Sequence, residues 1–328
     1  MWQVIGHEWA VKLLKCSLDN GRVSHAYLLT GPPQIGKTTL ALDFARALNC
    51  AGKKKPCGEC TSCRKIAHGT HPDVRVIEGE GGTIKIDQIR DLQRQASLSP
   101  LEGRWKAYII RQMGQATTEA SNCLLKTLEE PPAHVILILT ASNVQSLLPT
   151  VVSRCQVLNL HLLTAEEVQN ALQEHWGVED AQAELLARLS GGRLGWAVDA
   201  SRDKDVLKRR GECLDKLTDL LGRGKVERFA YARKLSQDPE RMREVLDWWL
   251  SWGHDLLLVR EGSQTEITNL DRRASLLKQA ERYGLGQIHG FLTALRAAVY
   301  ALEHNANARL ALEVLMLSLP RAKMRAGM

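Results

Sequence analysis

Residues 31 to 38 read Gly31-Pro32-Pro33-Gln34-Ile35-Gly36-Lys37-Thr38, a complete G-x-x-x-x-G-K-[ST] pattern. The stretch before it, Ala26-Tyr27-Leu28-Leu29, is a short apolar run that predicts a buried strand stopping at Thr30-Gly31. After Gly36, Leu40, Leu42, Phe44, Ala45 and Leu48 recur at helical spacing and predict a helix over Lys37 to Leu48. Strand, glycine-rich loop and helix in that order are what phosphate binding requires. Backbone amides and a helix N-terminus cradle the phosphates, the lysine reaches the β/γ oxygens and the following hydroxyl ligates Mg²⁺. The competing reading is a chance glycine-rich turn, which would not need that flanking order. Gly31, Gly36, Lys37, Thr38 and Thr39 are therefore the candidate nucleotide-binding residues.

Working outward, Val4 to Asn20 reads as a helix entry followed by an apolar-periodic helix. Val74–Ile77, Ala107–Ile110 and Val135–Leu139 read as further strands, with helices over Ile86–Ala96 and Thr118–Leu128 between them. Alternating strands and helices predict an α/β domain with a parallel sheet. From Thr164 onward the pattern changes. Thr164-Ala165-Glu166-Glu167 has the form of a capping box, and Glu166–Glu174, Ala181–Leu189 and the chain beyond Lys204 read as helices. At 328 residues the chain exceeds the size of one hydrophobic core, and the expected division is 1–162, 163–203 and 204–328. The charged stretch Ser201-Arg202-Asp203-Lys204-Asp205 marks the second boundary.

Composition is that of a globular protein, with 44% hydrophobic and 25% charged residues and a net charge of +7. That excess permits nucleic-acid contact without requiring it. The longest aliphatic run, Val135 to Leu139, is too short to cross a bilayer, and the opening Met1-Trp2-Gln3-Val4-Ile5-Gly6 lacks a secretory pattern, so a cytoplasmic protein is expected. Of the eight cysteines, Cys50, Cys57, Cys60 and Cys63 cluster while Cys16, Cys123, Cys155 and Cys213 are scattered. In a cytosolic setting such clustering points to metal, and four thiolates make a closed tetrahedral Zn²⁺ site with a structural role. An iron–sulfur cluster is the alternative, disfavoured because no Cys-Pro follows Cys63. His68 and His71 are the alternative ligands for one position.

Hydrolysis by such a loop also needs a carboxylate at the tip of a neighbouring strand. The strand placed for it ends in Ile110 and is followed by Arg111-Gln112-Met113-Gly114, with no acidic residue before Glu119. A cation in the Mg²⁺ position would repel the metal by several kcal/mol at ~4 Å and an effective dielectric of ~20. Nucleotide binding without turnover is the expectation. Ser153-Arg154-Cys155 follows what reads as the last strand and a loop, where an exposed arginine either reaches a neighbouring subunit's phosphate or is merely solvated or paired. The Trp248, Trp249, Trp252 cluster sits among leucines at helical spacing and reads as core.

Together these blocks resemble the bacterial DNA polymerase III clamp-loader subunits of the AAA+ superfamily along nearly the whole chain. Val4-Ile5-Gly6-His7 resembles the adenine-side segment, and His25 to Gly31 the approach to the P-loop. Leu124-Leu125-Lys126-Thr127-Leu128-Glu129-Glu130-Pro131-Pro132 matches a family signature, Ser153-Arg154-Cys155 the arginine-finger motif, and Asn307 to Glu313 the last helix of a collar. The family has ATPase motors (gamma/tau) and a stator kind (delta prime). Two departures from the motor pattern, Arg111-Gln112 in place of Asp-Glu and Gly195 where the motor's lid carries an arginine, place the chain nearer the stator. The Thr83 to Arg90 segment and an end soon after the collar helix point the same way. The intact P-loop points toward the motors, and the Cys50-to-Cys57 gap is shorter than the family's usual one.

The resemblance implies an AAA+ domain with an inserted zinc module (50–63), a helical lid and a helical collar. It implies a hetero-pentamer with gamma/tau and delta that loads a sliding clamp on primer-template DNA, and an Arg154 that acts in trans on a neighbour's ATP. ATP or ADP is the implied nucleotide, structural Zn²⁺ the implied metal, and Mg²⁺ binding is disfavoured. An active gamma/tau-type ATPase and a stand-alone zinc-bearing nucleic-acid-binding protein are the rival readings.

Overall fold

The structure is a computed structural model that describes residues 1–203, 205–263, 267–304 and 306–320. Lys204, inside the charged boundary stretch, and residues 321–328 of the expected collar lie outside the described residues. The chain divides into two compact units, one made of Met1–Ala171 with Gly191–Trp196, the other of Leu172–Ser190 with the chain from Ala197 onward.

The first unit runs α1 (Glu8–Asp19), β1 (Ala26–Thr30), α2 (Lys37–Leu48), α3 (Thr61–Ala67), β2 (Val74–Ile77), α4 (Ile86–Ala96), β3 (Lys106–Ile110), α5 (Thr118–Glu129), β4 (Val135–Ala141), α6 (Pro149–Val152) and β5 (Gln156–Asn159). The strands form one parallel sheet in the order β2-β3-β4-β1-β5, with Leu28 of β1 opposite Leu139 on one side and Val157 on the other. Successive strand residues point to opposite faces, and here both faces are apolar. Tyr27, Leu29, Ile109 and Ile138 pack with Leu14 of α1, Leu40 and Phe44 of α2 and Ile66 of α3. Leu28, Tyr108, Ile110, Leu137 and Leu139 pack with Ile89 of α4, Leu124 of α5 and Val151 of α6. A sheet covered on both sides explains the continuous apolar runs of β1, β3 and β4, all of whose residues are buried.

Four elements depart from the sequence reading, two of them the short α6 inside the expected loop before Ser153 and the helix over Leu194–Arg202, where none was expected. A fifth strand, β5, follows the one expected to be last, so Ser153-Arg154-Cys155 lies between α6 and β5. Gln156-Val157-Leu158-Asn159 carries little apolar signal because β5 is an edge strand with only Leu158 fully buried. The short α3 was also not expected; Cys60 is its N-cap and Cys63 lies on its buried side.

The second unit and its approaches are helical: α7 (Ala165–Trp176), α8 (Asp180–Ser190), α9 (Leu194–Arg202), α10 (Val206–Gly222), α11 (Lys225–Leu235), α12 (Pro239–Arg260), α13 (Arg273–Arg282), α14 (Leu285–Glu303) and α15 (Ala308–Leu317). The predicted capping box forms, with the Glu167 carboxylate accepting from the Thr164 amide at 2.7 Å and the Thr164 hydroxyl accepting from the Glu167 amide at 3.1 Å. Trp249 and Trp252 are core residues as expected. Trp249 stacks on Tyr231, and the Trp252 Nε1–H donates to Gln279 at 3.2 Å. Buried polar groups are matched to backbone: Arg228 donates to the carbonyls of Leu220, Leu221 and Met316, closing the ends of α10 and α15. Asp255, fully buried, accepts from the Thr268 and Asn269 amides.

In the α/β unit, Asp73 accepts from the amides of Leu101, Glu102 and Gly103 at 2.7–2.8 Å and so pins the loop that leads into β3. Burial opposes its ionisation, but these amides and nearby His71 outweigh it and hold the carboxyl below its ordinary range. A folded-state pKa below the unfolded one gives stability that is complete above the unfolded value of ~3.9 and is lost as pH falls through the folded value. Asp73→Asn is therefore expected to lower stability by about 1.5–3 kcal/mol at neutral pH. In urea titrations of both proteins from pH 7 downward, the difference should shrink only below about pH 4.

Candidate functional site

The P-loop leaves the sheet from β1, which is flanked by β4 and β5. Gly31 has φ 137°, and a Cβ there would stand 2.3 Å from the Leu160 carbonyl oxygen, so no other residue fits the turn. The helix α2 starts at Lys37, which directs the loop's amides and a helix N-terminus toward one point. The Lys37 ammonium donates to the carbonyls of Gly31 and Pro32 at 2.6 and 2.5 Å, and burial lowers its pKa to about 8. Thr38 and Thr39 occupy the first turn of α2.

The N-terminal segment is strapped over this loop. The buried Asp43 of α2 accepts from the amides of Gln3 and Val4 at 2.6 and 2.8 Å and pairs with Arg46, which also donates to the Gln3 side chain. His7 Nε2 bonds the Ile35 carbonyl at 2.9 Å. Val4 to His7 thus sits against the P-loop, where the resemblance puts an adenine-side segment. Beside it, a cleft of about 400 Å³ is lined by Thr30, Gly31, Asn143, Asn159 and His161 among others.

Gly195, at the start of α9, touches the loop directly. Its amide donates to the Gln34 carbonyl at 2.8 Å, and a Cβ there would lie 2.7 Å from that oxygen. An arginine at this position would have to displace the loop backbone before it could reach a nucleotide.

At the end of β3, Arg111 does not face the P-loop. Its amide extends the pairing with β2 through the Ile77 carbonyl, and its guanidinium pairs with Glu78 just beyond β2. Because β3 lies between β2 and β4, this pair is on the side away from β1. The repulsion expected from the sequence is therefore corrected: Arg111 is neutralised by Glu78, and what counts against Mg²⁺ is the lack of a carboxylate. Gln112 adopts φ 51° and donates its amide to Thr140 on β4 at 3.0 Å, so no acidic side chain is offered there.

Cys50, Cys57, Cys60 and Cys63 converge, their sulfurs all within 4.8 Å of one another. The Cys57 and Cys63 sulfurs are 4.0 Å apart, close to the ~3.8 Å edge of a tetrahedron with Zn–S bonds of ~2.3 Å. Backbone amides already point at the sulfurs: Gly52 and Cys57 donate to Cys50, and Cys60 donates to Cys57, each at 3.3 Å. The amides of Cys60 and Glu59 hold the Cys57 thiol down to about 6, which favours a thiolate. Neither His68 nor His71 joins the cluster. Instead the buried His71 Nδ1 accepts from the Asp73 amide at 3.1 Å. The four-sulfur donor set fits Zn²⁺.

Arg154 lies far along the chain from both sites, after α6. Its Nη1 donates to the Thr150 carbonyl at 3.0 Å and the Ser153 hydroxyl at 3.3 Å, and its Nη2 contacts a Glu129 carboxylate oxygen at 2.7 Å. The side chain stays about one-third exposed. Sequence reasoning did not single out Asp43, Arg46, Glu78 or Glu129. Asp43 left a trace, a carboxylate among the apolar residues of α2 with arginine three positions on; Glu129 stood inside the Leu124–Pro132 signature and Glu78 left no signal, and only folding brings either glutamate to its arginine.

Replacing Gly195 by alanine is expected to force the α9 start and the Gln34 carbonyl apart, costing about 1–3 kcal/mol. Thermal unfolding of Gly195→Ala against the parent protein measures it.

Comparison with known proteins agrees with this arrangement. The family model described as DNA polymerase III, delta subunit, matches residues 6–164, and that for the C-terminal part of the delta subunit matches residues 204–320. DNA polymerase III subunit delta' of Bacillus subtilis (strain 168) is 31% identical over 314 residues, covering 94% of this chain and 94% of that protein. DNA polymerase III subunit tau of Escherichia coli (strain K12) is 37% identical over 198 residues, covering 58% of this chain but 31% of tau. The crystal structure of a DNA polymerase III gamma subunit-related protein from Thermotoga maritima shares the fold at 18% identity, with a TM-score of 0.52 over 93% of this chain and 98% of that one.

Proposed function

The chain belongs to the DNA polymerase III subunit delta' family, and from that premise we propose that it is the stator of a clamp loader: a P-loop subunit that binds nucleotide without hydrolysing it and lends Arg154 to a neighbour's ATP. The observation that carries this reading is a complete phosphate-binding loop whose neighbouring strand ends in Arg111-Gln112, combined with similarity to delta' over 94% of both chains. Gly31, Gly36, Lys37, Thr38 and Thr39 bind the nucleotide phosphates. Gly195 supports the same reading, because its close contact with Gln34 leaves no room for a lid arginine over the site.

In this reading the chain has three parts, an AAA+ domain over 1–162, a lid over 163–203 and a collar over 204–328. Cys50, Cys57, Cys60 and Cys63 hold one structural Zn²⁺ that ties the 50–63 loop to α3. Its partners are gamma/tau and delta in a hetero-pentamer, the sliding clamp and primer-template DNA. Exposed Leu310, Val314 and Leu317 support an assembly role for the helical unit, since their spacing makes one apolar stripe along α15. No helix among the described residues is long and apolar enough to cross a membrane. An active motor of the gamma/tau kind would need a carboxylate where Arg111 or Gln112 stands.

Two measurements test the proposal. Metal analysis of the purified chain should give one zinc per chain, and Cys60→Ser should release it and unfold the 50–63 loop; iron with a visible chromophore would reject the assignment. The isolated chain should bind adenine nucleotide without turnover. In complexes reconstituted with the other subunits, Arg154→Ala should lower DNA-stimulated ATPase at unchanged assembly, by less than the ~10³–10⁵ of a single-site finger because other sites continue to fire. Arg154→Lys should rescue poorly, since an ammonium lacks the guanidinium fork. ATPase activity of the isolated chain that Lys37→Ala abolishes, or equal rates with and without Arg154, would overturn the stator reading.

A further inference from the structure

Glu129 stands where a carboxylate is mildly disfavoured. It is the last residue of α5, so its negative charge sits at the negative end of the helix dipole. The helix stops there because Pro131 and Pro132 follow: proline lacks the amide to continue it and biases the residue before it away from helical backbone. The carboxylate is thereby held at a fixed end facing α6, and its partner is Arg154, with an oxygen 2.7 Å from Nη2.

The guanidinium is gripped from two elements. From α6 and its cap, the Thr150 carbonyl and the Ser153 hydroxyl take both N–H groups of Nη1. From α5, the Glu129 carboxylate holds Nη2 by charge, as an ion pair and not as a hydrogen-bond acceptor. An arginine has five N–H donors, which leaves Nε–H and both Nη2–H groups of Arg154 without a hydrogen-bond acceptor among the described residues, Nη2 being held by charge alone. The grip therefore orients the fork without consuming it. A flexible arginine loses rotamer freedom when it meets a phosphate, and holding it beforehand removes part of that cost from the transition state.

We propose that Glu129 is a positioning residue for Arg154: its charge holds Nη2 while Thr150 and Ser153 fix the guanidinium plane, so that the remaining donors are presented to an anionic phosphoryl group. This rests on the reading of Arg154 as a group that acts on a neighbour's ATP. It assigns to the first glutamate of the Glu129-Glu130-Pro131-Pro132 segment a contribution to turnover made wholly through another residue.

The test uses the full complex, reconstituted with parent, Glu129→Ala, Glu129→Gln, Arg154→Ala and doubly substituted Glu129→Ala/Arg154→Ala chains, each at verified equal assembly. An exposed ion pair of this kind holds its partner by a factor of about two to five. Glu129→Ala should accordingly lower the DNA-stimulated kcat about two- to fivefold with KM for ATP unchanged. Glu129→Gln, which keeps a neutral acceptor, should fall between it and the parent. The double variant should be no slower than Arg154→Ala alone, because Glu129 has nothing left to position. An additive loss in the double variant would mean that Glu129 acts elsewhere, and a rise in kcat on Glu129→Ala would mean that it restrains the arginine; either overturns the proposal. If Arg154→Ala slows the complex and Glu129→Ala does not, only the positioning role fails. If Arg154→Ala is itself without effect, the finger reading fails and this proposal with it.

Discussion

The burial of β1 is the constraint on which the α/β unit depends. A strand with partners on both edges and helices on both faces has no exposed side, so every one of its five residues is apolar or, like Thr30, internally bonded. The chain can turn only after the carboxyl end, where backbone amides emerge from the sheet together with those of neighbouring strands. The P-loop is that exit. Its geometry is fixed from beneath by Leu160 against Gly31, from one side by Gly195 against Gln34, and from another by the strap that Asp43 and Arg46 hold through Gln3 and Val4. A loop braced this way would need little reordering to meet a phosphate, which lowers the ordering cost of such binding.

Two exposed arginine–glutamate pairs in the same unit illustrate how position decides what a charge does. Arg111 and Glu78 close off the carboxyl ends of the two strands at one sheet edge, and the pair lies on the far side of β3 from the P-loop. Surface pairs of this sort contribute at most about 1 kcal/mol, so the arrangement is tolerated more than it is needed. Arg154 and Glu129 have the same chemistry, but they bridge the ends of two helices and leave part of the guanidinium fork outward. One pair neutralises a cation at the end of β3, and the other leaves a guanidinium about one-third exposed.

The helical unit shows the opposite economy of charge. Arg210, Arg228 and Asp255 are buried, and each is matched to oppositely charged or backbone groups: Asp271 and Asn269 for Arg210, helix-end carbonyls for Arg228, two loop amides for Asp255. Leaving any of them unpaired would cost several kcal/mol, which makes these contacts specifiers of where α10 and α15 end and of how the 268–269 loop lies against α12. The tryptophans of α12 then fill the remaining volume as ordinary core.

The sequence by itself determined the local elements and the chemistry carried by short contiguous patterns. The apolar runs of β1, β3 and β4 could be read because each strand is buried on both faces, and the P-loop and four-cysteine patterns because their donors lie within a few residues of one another. Thr164 to Glu167 announced its capping box for the same reason. Tertiary structure alone decided the rest. β5 escaped notice because an edge strand with one buried side chain has no periodic signature. The partners of Arg111 and Arg154 are glutamates 33 and 25 positions away in the chain, so Arg111 read as repelling a metal and Arg154 as a finger or an ordinary loop arginine until the sheet order and the α5–α6 contact placed a carboxylate beside each. Spacing reports what neighbours in the chain can do together; which distant charge cancels which is set only when the strands and helices pack.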